Sequence, residues 1–185
     1  MAPSNGLVCT ACGQHYALDT RDWRCACGGL FDFEQWPPFD ARSIDTSQTG
    51  LWRYRALLPL DRSWDPVLLG EGNTPLVPLD WEGWPVFAKL ECLNPTGSFK
   101  DRGAAVLATA LRGLGIGRVV EDSSGNAGAS LAAYAACAGI SCEICVPDTA
   151  AGPKIAQMTI HGAEVIQIKG RREYAALAPW AAAAH

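Results

Sequence analysis

The sequence predicts an α/β fold, a mostly parallel sheet built through helical crossovers, preceded by a small cysteine-rich module. Three observations predict it. From residue 100 onward, short apolar runs of strand length alternate with alanine-rich runs of helical length. A tight loop of small residues, Ser123-Ser124-Gly125-Asn126, joins one such strand to one such helix. Ahead of that alternation stand two close-set cysteine couplets, Cys9 with Cys12 and Cys25 with Cys27.

Taken in order, residues 1–36 form the cysteine-rich module, and Pro37-Pro38 marks its exit into a linker. The organisation is therefore 1–36 followed by 37–185. From about 45 to 91 the chain packs along the body, with strands at 76–77 and 86–90. Trp52, Trp64, Trp81 and Trp84 are expected to pin this region to the core. Pro95 and Gly97 then punctuate a loop. Ser98 followed three residues later by Asp101 is a capping-box-like start signal, residues 104–111 are strong helix formers, and Gly113 is the expected stop. Residues 118–121 read as a short strand, 131–138 as a helix, 142–146 as a buried strand, 154–161 as a helix and 164–168 as a strand. This alternation implies parallel pairing with crossovers. Residues 171–185 read as a helix that stops without a glycine cap or a closing strand. No internal repeat stands out.

Two stretches carry chemistry. Asn94-Pro95-Thr96-Gly97-Ser98-Phe99-Lys100-Asp101-Arg102-Gly103 sets Lys100 into the first turn of what reads as a buried helix. A helix N-terminus and partial burial both disfavour an ammonium, and a neutral lysine is a nucleophile able to form a Schiff base with a carbonyl group. An arbitrary lysine is an exposed, solvated side chain, so the neighbours must decide. The second stretch is the loop from Ser123 to Gly128. Small residues there leave backbone N–H groups at a helix start, a site for carboxylates and phosphates. Ser123, Ser124 and Asn126 add donors, and Gly125 and Gly128 permit close approach. The dinucleotide spacing Gly-x-Gly-x-x-Gly is absent.

In chain order stand Gly70-Glu71-Gly72-Asn73-Thr74-Pro75-Leu76, then Lys89-Leu90-Glu91 with the stretch from Asn94 to Arg102, then Ser123-Ser124-Gly125-Asn126. This ordered set resembles the fold-type II family of pyridoxal-phosphate enzymes, which includes threonine synthase, threonine dehydratase and cysteine synthase. Trp52-Arg53-Tyr54-Arg55 and the cysteine cluster are similar to threonine synthase in particular. The resemblance runs roughly from residue 9 to 170 and implies a tryptophan-synthase-beta-like fold. By that resemblance Lys100 carries the covalent link to pyridoxal phosphate and Asn126 hydrogen-bonds the cofactor's ring oxygen. Ser123, Ser124 and Ala127 line the place where the substrate carboxylate docks. Many threonine synthases have a threonine where this chain has Ala127, which removes one hydroxyl donor and leaves the substrate less determined.

The implied activity is that of a lyase converting O-phospho-L-homoserine and water to L-threonine and phosphate. The alternatives are a serine/threonine dehydratase, a cysteine-synthase-like β-replacement enzyme, or, in another class, a non-catalytic zinc-ribbon binding module carrying a truncated enzyme half. The family needs about as much chain again, including a glycine-rich loop for the cofactor phosphate and a partner for the pyridine nitrogen. Neither is found here. Residues 37–185 are therefore read as the N-terminal half of the catalytic region, with the C-terminal half absent. The chain alone is expected to bind pyridoxal phosphate weakly and to turn over little substrate, and a homodimer is a reading kept for the full-length form.

Cys9, Cys12, Cys25 and Cys27 have the number and clustering of a tetrahedral structural zinc site, with Gly13 and Gly28 after the couplets. A disulfide pair or free cysteines are the competing readings, and His15 lies near enough to compete as a ligand. Residues 1–8 lack the charged start and apolar core of a signal peptide, so a cytoplasmic, thiol-reducing setting is expected, which favours zinc. Cys142 and Cys145 have redox spacing but sit in a strand-like run. They are expected to be packing residues, as are Cys92 and Cys137. His161 is expected to cap a helix end.

Of the 185 residues, 49% are hydrophobic and 18% charged, and the net charge is −4. No apolar run is long enough to span a membrane. The negative balance argues against non-specific nucleic-acid binding, and residues 1–36 carry only Arg21 and Arg24 against four acids. The expected partner is a small amino-acid substrate, with no nucleic acid and no membrane.

Overall fold

A computed structural model describes residues 6–36 and 38–170. Pro37 and the helix expected over 171–185 lie outside the described residues. The chain divides into two units. The first takes in the residues up to Gln48 and Trp52–Asp61, the second Thr49–Leu51 and the residues from Arg62.

The first unit is organised by three short antiparallel strands in the order β2-β1-β3: β1 (Leu7–Cys9), β2 (His15–Tyr16) and β3 (Phe31–Phe33). Each cysteine couplet sits on a tight turn. The Gly13 amide donates to the Cys9 carbonyl and the Gly28 amide to the Cys25 carbonyl, and both glycines have positive φ. Tyr16 packs on Phe31 with ring centroids 4.6 Å apart.

The second unit begins with the hairpin β4 (Leu76–Trp81) and β5 (Trp84–Lys89), joined by a two-residue turn. Glu82 and Gly83 both have positive φ, as a type I′ turn requires, and the Gly83 amide donates to the Asp80 carboxylate at 2.8 Å. Trp81 and Trp84 face each other across this turn and are 64% and 72% exposed, so they do not pin the region to the core. They stand at the tip of a two-stranded ribbon. Trp52 is buried and Trp64 half-buried, as expected of core anchors.

Next come α1 (Lys100–Gly113), β6 (Arg118–Asp122), α2 (Asn126–Ala138), β7 (Ser141–Pro147), α3 (Gly152–Ile160) and β8 (Glu164–Ile168). The strands pair in parallel in the order β6-β7-β8, the crossover sheet that the alternation predicts. Buried Ala129, Leu131, Ala132 and Ala135 of α2 meet Ile144 and Val146 of β7 and Met158 of α3. Alanine dominates because it lets a helix lie close to the sheet and has the highest helix propensity.

Local expectations are refined. Gly113 is the last residue of α1, and a Cβ there would come within 2.4 Å of the Trp64 ring, so close packing also calls for the glycine. The stop is Gly115, at φ +69°, with the Ile116 amide donating back to Leu111 and the Gly115 amide to Arg112, a Schellman ending. Cys92 and Cys137 are exposed rather than packed, the first on a single 3-10 turn and the second on the last turn of α2. Cys142 and Cys145 are buried in β7, and burial pushes the Cys142 thiol up to about 12, as a packing role implies. His161 caps the end of α3.

Candidate active site

Lys100 is the first residue of α1, and the loop before it is held by a set of polar side chains. The Asn94 side chain accepts from the Gly72 amide at 2.9 Å and donates to the Glu91 carbonyl at 2.9 Å. Glu91 receives both arms of the Arg102 guanidinium at 2.8 Å and the Thr74 hydroxyl at 2.8 Å. The segments 70–76 and 89–102 are thus tied to each other. The Arg102 hydrogen bonds hold the Glu91 carboxyl well below its usual value, at about 2. Glu71 is a second internal tie. It is buried, accepts the Tyr134 hydroxyl of α2 at 2.7 Å and the Leu69 amide at 2.9 Å. Gly72 is required by close approach, since a Cβ there would lie 2.7 Å from the Leu51 nitrogen.

Asp101 is fully buried and does not complete a capping box with Ser98. Its carboxylate accepts from the Thr96 amide at 2.7 Å, from the Thr96 hydroxyl, and from Ser130 of α2 at 2.6 Å. Ser98 instead accepts from the Lys100 amide at 3.3 Å. Gln157 of α3 donates to the Thr96 carbonyl at 2.8 Å. Asp101 therefore fixes the start of α1 against α2, whereas the sequence alone presents it only as a capping residue. Its tertiary partners are 5 and 29 positions away, which no local pattern reveals.

Lys100 itself is exposed, contrary to the expected partial burial. Its Nζ lies 5.0 Å from the Phe99 ring centroid. It opens onto a cavity of about 430 Å³ shared with Glu121 of β6 and Ala127 of α2. Asn126 is exposed at the first position of α2, and Ser124 and Ala127 are half-buried. Ser123 is buried, and its hydroxyl oxygen accepts the Gly128 amide of the first turn of α2 at 2.8 Å, two residues ahead of the N-cap position at Gly125. Lys100 and Ala127 line the same cavity, whereas Ser123, Ser124 and Asn126 are not among its lining residues. The amides of Asn126 and Ala127 have no partner among the described residues, as expected for the opening turn of a helix. An amine on open ground and a helix start bearing free N–H groups suit an anionic aldehyde.

In the first unit the Sγ atoms of Cys9, Cys12, Cys25 and Cys27 lie within 4.8 Å of one another. The pairs Cys9–Cys27 and Cys12–Cys25 are each at 3.5 Å, far beyond disulfide bonding. A tetrahedron with zinc–sulfur bonds of about 2.3 Å has edges of about 3.8 Å, so the size of this donor set is compatible with zinc. Tyr16 donates to Cys25 Sγ at 3.1 Å and lowers that thiol to about 6. The Ala11 amide donates to Cys9 Sγ at 3.4 Å, and a Cβ on Gly29 would stand 2.5 Å from the same sulfur. His15 pairs with Glu34 and stands outside the cluster.

Comparison with known proteins agrees with this geometry. The sequence profile described as Pyridoxal-phosphate dependent enzyme matches residues 67–184. The threonine synthase of Methanosarcina acetivorans is 38% identical over 175 residues, 89% of this chain and 42% of the relative. That of Methanocaldococcus jannaschii is 38% identical over 173 residues, 88% of this chain and 43% of the relative. That of Mycobacterium leprae is 46% identical over 122 residues, 63% of this chain and 34% of the relative. The chain thus spans about two fifths of the length of the first two. Among solved structures, a hydrogen sulfide-producing enzyme from Fusobacterium nucleatum has a TM-score of 0.56 at 32% identity, over 61% of this chain and 39% of that one. O-ureido-L-serine synthase has a TM-score of 0.55 at 28% identity, over 60% and 38%. Among the described residues no helix is long and apolar enough to cross a membrane. With the lysine at a helix start and the crossover sheet in place, the chain belongs to the fold-type II family of pyridoxal-phosphate dependent enzymes and resembles threonine synthases.

Proposed function

We propose that this chain carries the lysine-bearing part of a threonine synthase, converting O-phospho-L-homoserine and water to L-threonine and phosphate. The observation that carries the reading is the placement of Lys100, at the start of α1, in the same cavity as Ala127 at the start of α2. The threonine synthases similar to it across 88–89% of its length supply the substrate. Lys100 would hold pyridoxal phosphate, and Asn126, exposed at the start of α2, would hydrogen-bond the cofactor's ring oxygen. Bound there, the cofactor supplies an electron sink for charge developing at the substrate's α-carbon. With the cofactor supplying that sink, Lys100 would be the group to take a proton from that carbon and later return it. The free amides of α2, with Ser124 and Ala127, receive the substrate carboxylate. Ser123 shapes this site by accepting the Gly128 amide of the first turn of α2, in addition to the donor role expected of it.

The arrangement of Cys9, Cys12, Cys25 and Cys27 supports a structural zinc within a ribbon over 1–36, and four thiolates suit a reducing, cytoplasmic compartment. A second reading is a β-replacement enzyme or dehydratase of the same family. Ala127, without a hydroxyl at the carboxylate site, and the likeness to O-ureido-L-serine synthase favour it.

The test is to supply the protein, loaded with pyridoxal phosphate, with O-phospho-L-homoserine and follow phosphate and threonine together. Both are expected in equal amounts, slowly, and neither with Lys100→Ala. Ammonia and a 2-oxo acid from L-serine or L-threonine, with no phosphate released, would move the second reading ahead.

A further inference from the structure

Tyr16 is one of the two residues of β2, where successive side chains point to opposite faces. His15 goes outward to Glu34, and Tyr16 turns in toward the cysteine cluster. Its ring is half-buried and packs on Phe31 of β3. Its hydroxyl makes two further contacts. The oxygen accepts the Ala26 amide at 3.4 Å, and the O–H donates to Cys25 Sγ at 3.1 Å. Ala26 lies between Cys25 and Cys27, so one hydroxyl holds the second couplet from a strand nine residues earlier. Phenylalanine would make the same ring contact with Phe31, so packing alone leaves the hydroxyl unexplained.

Burial divides the four sulfurs. Cys12 and Cys27 are exposed, where water can donate to them, whereas Cys9 and Cys25 are buried. Four thiolates on one divalent ion carry excess negative charge, and a buried sulfur must find its donors inside the protein. Cys9 finds the Ala11 amide at 3.4 Å, and Cys25 finds the Tyr16 hydroxyl, closer at 3.1 Å. We infer that Tyr16 is a positioning residue of the metal site, its hydroxyl drawing charge from the Cys25 thiolate and holding that sulfur in place for zinc. The inference rests on the reading that these four cysteines hold zinc. Donation to a thiolate lowers the energy of the sulfur lone pairs and restrains the side chain before the metal arrives. Both effects fall on Cys25 rather than on the two couplets alike.

The test loads the intact chain with zinc, or with cobalt(II) as a coloured substitute. It compares wild type with Tyr16→Phe and with Phe31→Leu, which removes the ring partner and keeps the hydroxyl. In chelator competition Tyr16→Phe is expected to bind zinc about tenfold more weakly. With cobalt its sulfur-to-metal charge-transfer band is expected at longer wavelength, because a sulfur without its donor gives up an electron more easily. The d–d bands are expected to keep their tetrahedral pattern. Phe31→Leu is expected to leave the charge-transfer band at the wild-type position. A band unmoved in Tyr16→Phe, or moved equally in both variants, overturns the role of the hydroxyl and leaves the zinc reading standing. If Tyr16→Phe takes up no metal, Phe31→Leu decides. Uptake there supports the inference, and loss in both makes ring packing the determinant and overturns it. No metal in wild type overturns the zinc reading and this inference with it.

Discussion

Lys100 and its neighbours show how much chemistry one short motif holds and how much it leaves to tertiary structure. The lysine could be found from its place between a punctuated loop and a helix. Its exposure could not, because burial depends on what lies across the cavity. Nor could the Glu91–Arg102 pair, whose members are 11 residues apart and separated by a loop. The pair makes a prediction at this scale. The Glu91 carboxyl falls from the usual 4.5 to about 2 in the folded chain, because Arg102 favours its charged form. A depressed carboxyl contributes stability that is present above the unfolded value and is lost as pH falls through the folded one. Glu91→Gln should therefore lower the melting temperature at pH 7, with the gap to wild type narrowing between about pH 4.5 and 2. Thermal melts followed by circular dichroism check this; a gap that stays constant down to about pH 2.5 contradicts it. The pair is partly solvent-accessible, so the effect should also weaken with added salt.

The elements were legible in proportion to how local their causes are. The strand-helix alternation after residue 100 returned as β6-α2-β7-α3-β8, since period and propensity act within each segment. The hairpin was seen only in part, as 76–77 and 86–90, because the type I′ turn at Glu82-Gly83 is not one of the Asn-Gly or Asp-Gly signals that announce such turns. Gly113 was legible as the end of α1, but its second role was not: only the position of Trp64 reveals a packing glycine. The clustering of the cysteine couplets was legible, since close spacing on two turns is enough to bring the four sulfurs together. The sulfur geometry supports one zinc per chain, and the prediction is direct. Metal analysis of protein purified without chelator should return one zinc, released by a thiol-reactive mercurial, and Cys25→Ser should lose it. Full metal retention in Cys25→Ser would rule out the four-cysteine set.

For the molecule as a whole, the structure joins the start of α1 to α2 through the Asp101–Ser130 hydrogen bond, and Lys100 and Ala127 line one cavity. The proposed account is that this lock keeps an exposed lysine in register with the start of α2. The class of fold was readable because it repeats a simple pattern; the lock was not, because it depends on a carboxylate reaching two other elements. The most direct test is to trap whatever lysine the cofactor selects at a single pH, with limiting pyridoxal phosphate and a short reaction time. The chain has four lysines, Lys89, Lys100, Lys154 and Lys169, so selectivity is measurable by peptide mapping after borohydride reduction. The account predicts label concentrated on Lys100, a drop to background in Lys100→Ala, and a clear loss of selectivity in Asp101→Asn. Label spread evenly over the four lysines, or falling on another of them in preference to Lys100, would contradict it.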